Sequence, residues 1–264
     1  MMDSILDLKG KTAMVTGAGQ GVGRETAIYL AMSNAGTVVV NDFFLDRAEA
    51  TAAEIEGIGV RAVPVQADVS DYTAVLEKFS EVEKALGRLD ILVNNAGNAG
   101  PTADVSTNMK PFWETDPEDW AVWLDVNLYG VMACTRAVLP GMIERRYGRI
   151  VTVISDAGRV GEPHLAAYSA GKGGAGAFTR AIAKAGGRYG VAANCVSLGA
   201  ISTPGLEERL SDPERRKKVL GSYLIRRLGT PQDAAAAILY LASDAASWVT
   251  GQTIPVNGGY DFAV

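Results

Sequence analysis

Seven short apolar runs punctuate this chain, and they constrain its fold more than any other feature. They are Thr12–Thr16, Thr37–Asn41, Arg61–Val65, Asp90–Val93, Arg149–Ile154, Ala192–Val196 and Thr253–Val256. Each reads as a nearly continuous apolar, largely β-branched stretch rather than an in/out alternation. That is the pattern of strands covered on both faces of a parallel sheet. The intervening segments are long enough for helices and carry helical spacing. Such strand–helix–strand repetition predicts an α/β, doubly wound seven-stranded parallel sheet flanked by helices. The chain has 264 residues, 48% of them hydrophobic and 21% charged, which suits one domain spanning 1–264 and excludes disorder.

The net charge is −5, so a non-specific grip on nucleic acid or anionic lipid is not expected, because both need basic surface. Cys134 and Cys195 lie 61 residues apart without a CxxC partner or a nearby histidine. They predict small core residues, with no metal site and no disulfide framework. The start, Met1-Met2-Asp3-Ser4-Ile5-Leu6-Asp7, is not read as a signal peptide, and no stretch reads as a membrane span. The expected setting is cytoplasmic.

Two helix starts are legible. Asp116 can cap a helix with Pro117 in its first position and Asp119 three residues after the cap, running through Trp120, Leu124, Leu128 and Val131. The other follows the first strand, where Thr16-Gly17-Ala18-Gly19-Gln20-Gly21-Val22-Gly23 joins strand to helix. Glycines there let the backbone turn tightly and approach a pyrophosphate, while helix N–H groups face its charge. In the first βα turn of an α/β chain this predicts dinucleotide binding on a Rossmann-type fold. Asp42 ends the second strand, 19 residues after Gly23, where an acid accepts hydrogen bonds from a ribose diol. It would repel a 2′-phosphate, and Ala18 to Gln20 bring no cation to offset it. NAD is therefore expected over NADP. The bland alternative is that Asp42 caps the loop after its strand.

Together these residues resemble the short-chain dehydrogenase/reductase family. The glycine spacing Gly17, Gly21, Gly23 is that family's form, with Gln20 and Val22 between. Asp68-Val69 is similar to its adenine-side pair, and Asn94-Asn95-Ala96-Gly97 to its post-strand motif. Asn127 sits in Val126-Asn127-Leu128, and Ser155 precedes Tyr168 by 13 residues. Tyr168-Ser169-Ala170-Gly171-Lys172 matches its YxxxK motif. The resemblance covers about Leu8 to Tyr260. It implies an NAD-dependent alcohol dehydrogenase or ketoreductase with a catalytic set of Asn127, Ser155, Tyr168 and Lys172. It places Asn95, Ile201 and Thr203 on the cofactor, and it implies a homo-oligomer, dimer or tetramer. Enoyl reductases of this fold usually place tyrosine and lysine seven apart, not four.

Elementary chemistry points the same way. Tyr168 and Lys172 are four apart, so on a helix they share a face. A free tyrosine has a pKa of about 10, and a nearby ammonium favours the phenolate. Tyr168 can then take an alcohol proton or return it, with Ser155 hydrogen-bonding the substrate oxygen. Lys172 can also hold nicotinamide ribose, and in the family Asn127 holds a water that links Lys172 to solvent.

One departure stands out: Leu198-Gly199 replaces the family's usual Pro-Gly, which leaves a backbone N–H and predicts a looser loop. A substrate loop is expected at about 98–115, with Pro111, Phe112 and Trp113, and a lid at about 200–227, with Arg209, Arg215, Arg216, Lys217 and Lys218. His164 lies four residues before Tyr168. The stretch Asp156-Ala157-Gly158-Arg159-Val160-Gly161 is similar to family members acting on hydroxyacyl-CoA compounds, including alicyclic ones. A non-catalytic NAD-sensing regulator or scaffold on the same fold is the rival reading.

Overall fold

The computed structural model describes residues 4–97 and 110–262. Its strands are β1 (Thr12–Thr16), β2 (Thr37–Asp42), β3 (Arg61–Gln66), β4 (Ile91–Asn94), β5 (Gly148–Ser155), β6 (Val191–Leu198) and β7 (Thr253–Val256). They form one parallel sheet in the order β3-β2-β1-β4-β5-β6-β7. The winding direction reverses between β1 and β4, and this switch point opens a crevice beyond the carboxyl ends of the strands.

The helices are α1 (Gly21–Met32), α2 (Leu45–Gly57), α3 (Tyr72–Leu86), α4 (Pro117–Leu124), α5 (Val131–Glu144), α6 (Ala157–Val160), α7 (Ala166–Gly186), α8 (Pro204–Arg209), α9 (Pro213–Gly221) and α10 (Pro231–Ala242). Successive strand residues serve opposite faces. Ala13, Val15, Val38 and Val40 pack toward α1, α2 and α10 with Leu30, Ile55 and Ile238. Met14, Val39 and Leu92 pack on the other face with Phe79 of α3 and Val138 and Met142 of α5.

β1, β2 and β4 are buried throughout, as the continuous apolar runs predict. The edge strand β3 departs from that prediction and is half exposed. There Pro64 is tolerated, because one edge has no partner for a backbone N–H. Asp90 also departs, since β4 begins one residue later. Its buried carboxylate instead accepts the Thr12 N–H at 3.0 Å and two bonds from Arg88 at 2.7 Å.

The helix expected after Asp116 begins at Pro117, with the Asp119 carboxylate accepting the Asp116 N–H at 3.2 Å. It is not a uniform α-helix. Asp125–Gly130 forms a wider π turn, where the Asn127 Nδ2 donates to the Trp123 carbonyl at 2.8 Å. Pro117–Glu144 is long and apolar enough to cross a membrane by length and composition alone. In this fold it packs against α3 and α7. The glycines of α7 bring that helix close to its own chain: a Cβ at Gly174 would lie 3.2 Å from Leu128, and one at Gly173 would lie 2.9 Å from the Gly158 carbonyl. Both cysteines are free and buried. Of the expected substrate loop, 98–109 lie outside the described residues. Phe112–Glu114 form a single 3₁₀ turn.

Candidate active site

A cleft of about 650 Å³ lies along the carboxyl ends of the strands. One end is bordered by Asp42 and Asp68. The middle is bordered by Gly17, Gln20, Gly21, Val22 and Asn95, and the far end by Ser155, Tyr168, Lys172, Ile201 and Thr203. Tertiary structure therefore gathers residues scattered over nearly 190 positions into one trough.

The loop from β1 to α1 is built for close approach. Gly17 and Gly21 have φ of +61° and +56°, which side chains rarely adopt. A Cβ at Gly23 would sit 2.1 Å from the Gly17 carbonyl oxygen, so Gly23 is a packing residue behind the cleft rather than on it. α1 starts without a side-chain cap and without an acid in its first turn. Its first residues, Gly21 and Val22, border the cleft, and the unpaired N–H groups of a helix start favour an anion. The loop is pinned from two sides. The Gly19 N–H donates to Asp42 Oδ2 at 2.9 Å, and the Asn95 Nδ2 donates to the carbonyls of Thr16 and Gly17 at 2.9 and 3.0 Å. Asn95 thus shapes the loop with its amide while bordering the cleft.

Asp42 caps the loop after its strand and also borders the cleft. Its Oδ1 accepts the Phe44 N–H at 3.1 Å. Arg47 was not anticipated. Its guanidinium lies over the Phe44 ring at 4.3 Å and borders the same end. It lies outside the glycine loop, and α2 delivers it from the next βα unit. Asp68 turns its carboxylate onto Ser70, whose N–H and hydroxyl donate at 2.9 and 2.7 Å. Val69 is buried beside Gly130.

At the other end, Ser155 closes β5, and its hydroxyl accepts the Ala157 N–H at 3.2 Å. Tyr168 and Lys172 stand one turn apart on α7. Burial pushes the Tyr168 phenol above its ordinary value, and the Ser155 hydroxyl beside it pulls the other way. Lys172 is nearly enclosed, which lowers its ammonium to about 8, and it donates to the Val153 carbonyl at 2.8 Å. Its Nζ is 6.0 Å from the centre of the Tyr168 ring. Lys172 Nζ and Asn127 Oδ1 converge on Gly97, where a Cβ would lie 3.0 and 3.2 Å from them. The four residues of the expected catalytic set therefore meet at one place.

Trp123, buried on α4, packs its indole edge-on to the Tyr168 ring at 5.4 Å. A shallow groove beside it is lined by Phe112, Trp120, Trp123 and His164. Phe112 and Trp120 stack at 5.3 Å there. In the 200–227 stretch, Thr203 caps α8 by accepting the Leu206 N–H at 3.3 Å, and Ile201 bridges to Gly229. The loop at Leu198-Gly199 is tied rather than loose. The Leu198 carbonyl accepts the Asp156 N–H at 3.0 Å, the Gly199 N–H donates to Val256, and the Ala200 N–H donates to the Tyr223 hydroxyl at 3.0 Å. Among the described residues, no group of three His, Cys, Asp or Glu is placed to hold a metal.

The family described as enoyl-(acyl carrier protein) reductase matches residues 17–261. The chain is 37% identical to a 3-oxoacyl-[acyl-carrier-protein] reductase of Synechocystis sp. over 253 residues, covering 96% of this chain and 97% of that one. It is also 37% identical to a (2S)-[(R)-hydroxy(phenyl)methyl]succinyl-CoA dehydrogenase subunit of Thauera aromatica, covering 96% and 98%. Among solved structures, a 7α-hydroxysteroid dehydrogenase complexed with NADH and 7-oxo-glycochenodeoxycholic acid superposes with a TM-score of 0.89 at 36% identity, over 98% of both chains. Similarity over nearly the full length shows that this chain belongs to the short-chain dehydrogenase/reductase family of oxidoreductases.

Proposed function

We propose that this protein interconverts a secondary alcohol and a ketone with NAD(H), using Tyr168 as the general acid/base. The observation that carries the reading is the meeting of Ser155, Tyr168, Lys172 and Asn127 at one end of a trough whose other end is bordered by Asp42. Bound there, a nicotinamide cofactor supplies or accepts the hydride. Gly17, Gln20, Gly21 and Val22 would hold its diphosphate, Asp42 its adenine ribose, Asp68 and Val69 its adenine side, and Ile201 and Thr203 its amide. In the direction of oxidation Tyr168 removes the hydroxyl proton. In reduction it returns the proton to the developing alkoxide. Ser155 donates to the substrate oxygen as charge gathers on it. Lys172 keeps a cation near the phenol, and Asn127 lies where it can link Lys172 to solvent through a water.

Two features support an acyl-CoA or cyclic alcohol as substrate. The aromatic groove beside Tyr168 suits an apolar ring or acyl chain, and α9 carries exposed Arg215, Lys217 and Lys218, cations of the kind that meet the phosphates of a CoA thioester. Arg216 is already paired with Glu207 at 2.6 Å. NAD+ and NADP+ should be offered with 3-hydroxyacyl-CoA, cyclic 2-hydroxyacyl-CoA and free secondary alcohols. The reading expects turnover that is faster with NAD+. Binding of NAD+ without reduction by any alcohol would favour the sensor or scaffold instead. A homo-oligomer, dimer or tetramer, is part of the same reading, and exposed Tyr129 and Met132 on the Pro117–Glu144 helix support it. A single monomeric species in sedimentation at micromolar concentration would remove that part.

A further inference from the structure

The side chain next to Ser155 is a buried carboxylate with three donors from three different parts of the chain. Asp156 is 2% exposed. Its Oδ1 accepts the Ser197 hydroxyl of β6 at 2.7 Å and Arg159 Nη1 of α6 at 3.2 Å. Its Oδ2 accepts Asn257 Nδ2, just after β7, at 2.8 Å. Its own N–H donates to the Leu198 carbonyl at 3.0 Å. Buried charge is retained only where such partners satisfy it, and the three bonds to the carboxylate are charge-assisted.

The network continues into the end of the chain. Arg159 Nη2 reaches Asp261 Oδ2 and the Phe262 carbonyl, both at 3.0 Å, and the Tyr260 hydroxyl bonds Glu162 at 3.1 Å. Asn257 also packs on the cofactor-side loop: a Cβ at Gly199 would lie 3.1 Å from its Cα. One carboxylate thus joins the Ser155 segment, the Leu198–Gly199 loop and the 257–262 segment.

We propose that Asp156 is a positioning residue, whose carboxylate locks these three segments into one block and so sets Ser155 and the Leu198–Gly199 loop against each other. This rests on the reading of Ser155 as a residue that contacts substrate. Asp156 itself touches neither substrate nor cofactor.

Asp156→Asn is the discriminating change. The Asn257 amide cannot turn over to accommodate it, because its Nδ2 also donates to the Asp261 carbonyl at 2.9 Å and its Oδ1 accepts the Gly259 N–H at 3.0 Å. The new amide therefore loses a bond to one partner while the volume stays the same. Amide hydrogen exchange on the full chain reads the block without any substrate. The variant is expected to exchange at least about tenfold faster in 198–200 and 257–262 together, with 12–32 unchanged. Acceleration confined to 156–161, or none, overturns the proposal. Ser197→Ala, which removes one neutral donor, is expected to act in the same direction and less strongly, and it serves where Asp156→Asn does not fold.

Kinetics with the best alcohol of the panel then separate positioning from bulk stability. Asp156→Asn should lower kcat by about tenfold or more, with KM for NAD+ changed less than about threefold. In a Ser155→Ala background it should cost little more, because the two act as one unit. The same loss in both backgrounds overturns the link to Ser155. Full activity of Ser155→Ala would instead refute the site reading, and the exchange result would still decide the block.

Discussion

Lys172 donates to the Val153 carbonyl at 2.8 Å from a position that is only 4% exposed. Burial lowers its ammonium to about 8 from an ordinary 10.5. The folded protein therefore releases this proton before the unfolded chain does. Between those two values the unfolded state binds more protons, so stability rises with pH across that window and is flat below it. In urea titrations of the cofactor-free protein, the wild type should gain roughly 2 kcal/mol between about pH 7.5 and about pH 10 relative to Lys172→Met. The variant should be the more stable protein at the lower pH and inactive throughout. Parallel pH curves for the two proteins would show that Lys172 keeps an ordinary ammonium.

Tyr168 sits above its ordinary value because it is buried, with Ser155 only partly offsetting that. The free protein holds it as the phenol near neutrality. Oxidation needs the phenolate and reduction needs the phenol. The rate of oxidation should therefore climb with pH while the rate of reduction falls. Profiles of kcat/KM in both directions test this, and two profiles rising together would assign the proton to another group.

Asp42 accepts the Gly19 and Phe44 N–H groups as well as bordering the cleft. Asp42→Ala removes the charge that repels a 2′-phosphate and leaves Arg47 on the same cleft. The ratio of kcat/KM for NADP+ over NAD+ should rise by at least about tenfold. Loss of the two N–H bonds should also cost about 1–3 kcal/mol of stability, read by thermal melting. An unchanged cofactor ratio would reduce Asp42 to a turn cap.

Gly23→Ala places a methyl 2.1 Å from the Gly17 carbonyl oxygen and 2.4 Å from Asn95 Nδ2. Neither can retreat without breaking the Asn95 brace on the loop. NAD+ affinity, measured by calorimetry, should fall by at least about tenfold, while the sheet stays folded. Wild-type affinity would mean that the loop gives way freely.

Local chemistry carried the sequence reading far. Strand ends came out within a residue or two because buried apolar runs are bounded by the loops themselves, as at Thr12–Thr16. Tyr168 and Lys172 were legible because helical spacing alone puts them on one face. What was not legible depends on juxtaposition across the sheet. Arg47 reaches the Asp42 end of the cleft only because α2 packs beside the glycine loop, and Trp123 meets Tyr168 only where α4 crosses α7. The π turn at Asn127 was hidden because its apolar spacing is also that of an α-helix. The exposed half of β3 was missed because nothing in a short apolar run tells an edge from a centre.

The central claim is that Tyr168 moves the proton. Tyr168→Phe keeps the ring against Trp123 and removes only the hydroxyl. The measurement is kcat for the best alcohol of the panel alongside the dissociation constant for NADH by fluorescence. The account predicts a fall in kcat of roughly 10²–10⁴-fold with NADH binding within about threefold of wild type. A variant that binds NADH normally and keeps kcat within about threefold would contradict it.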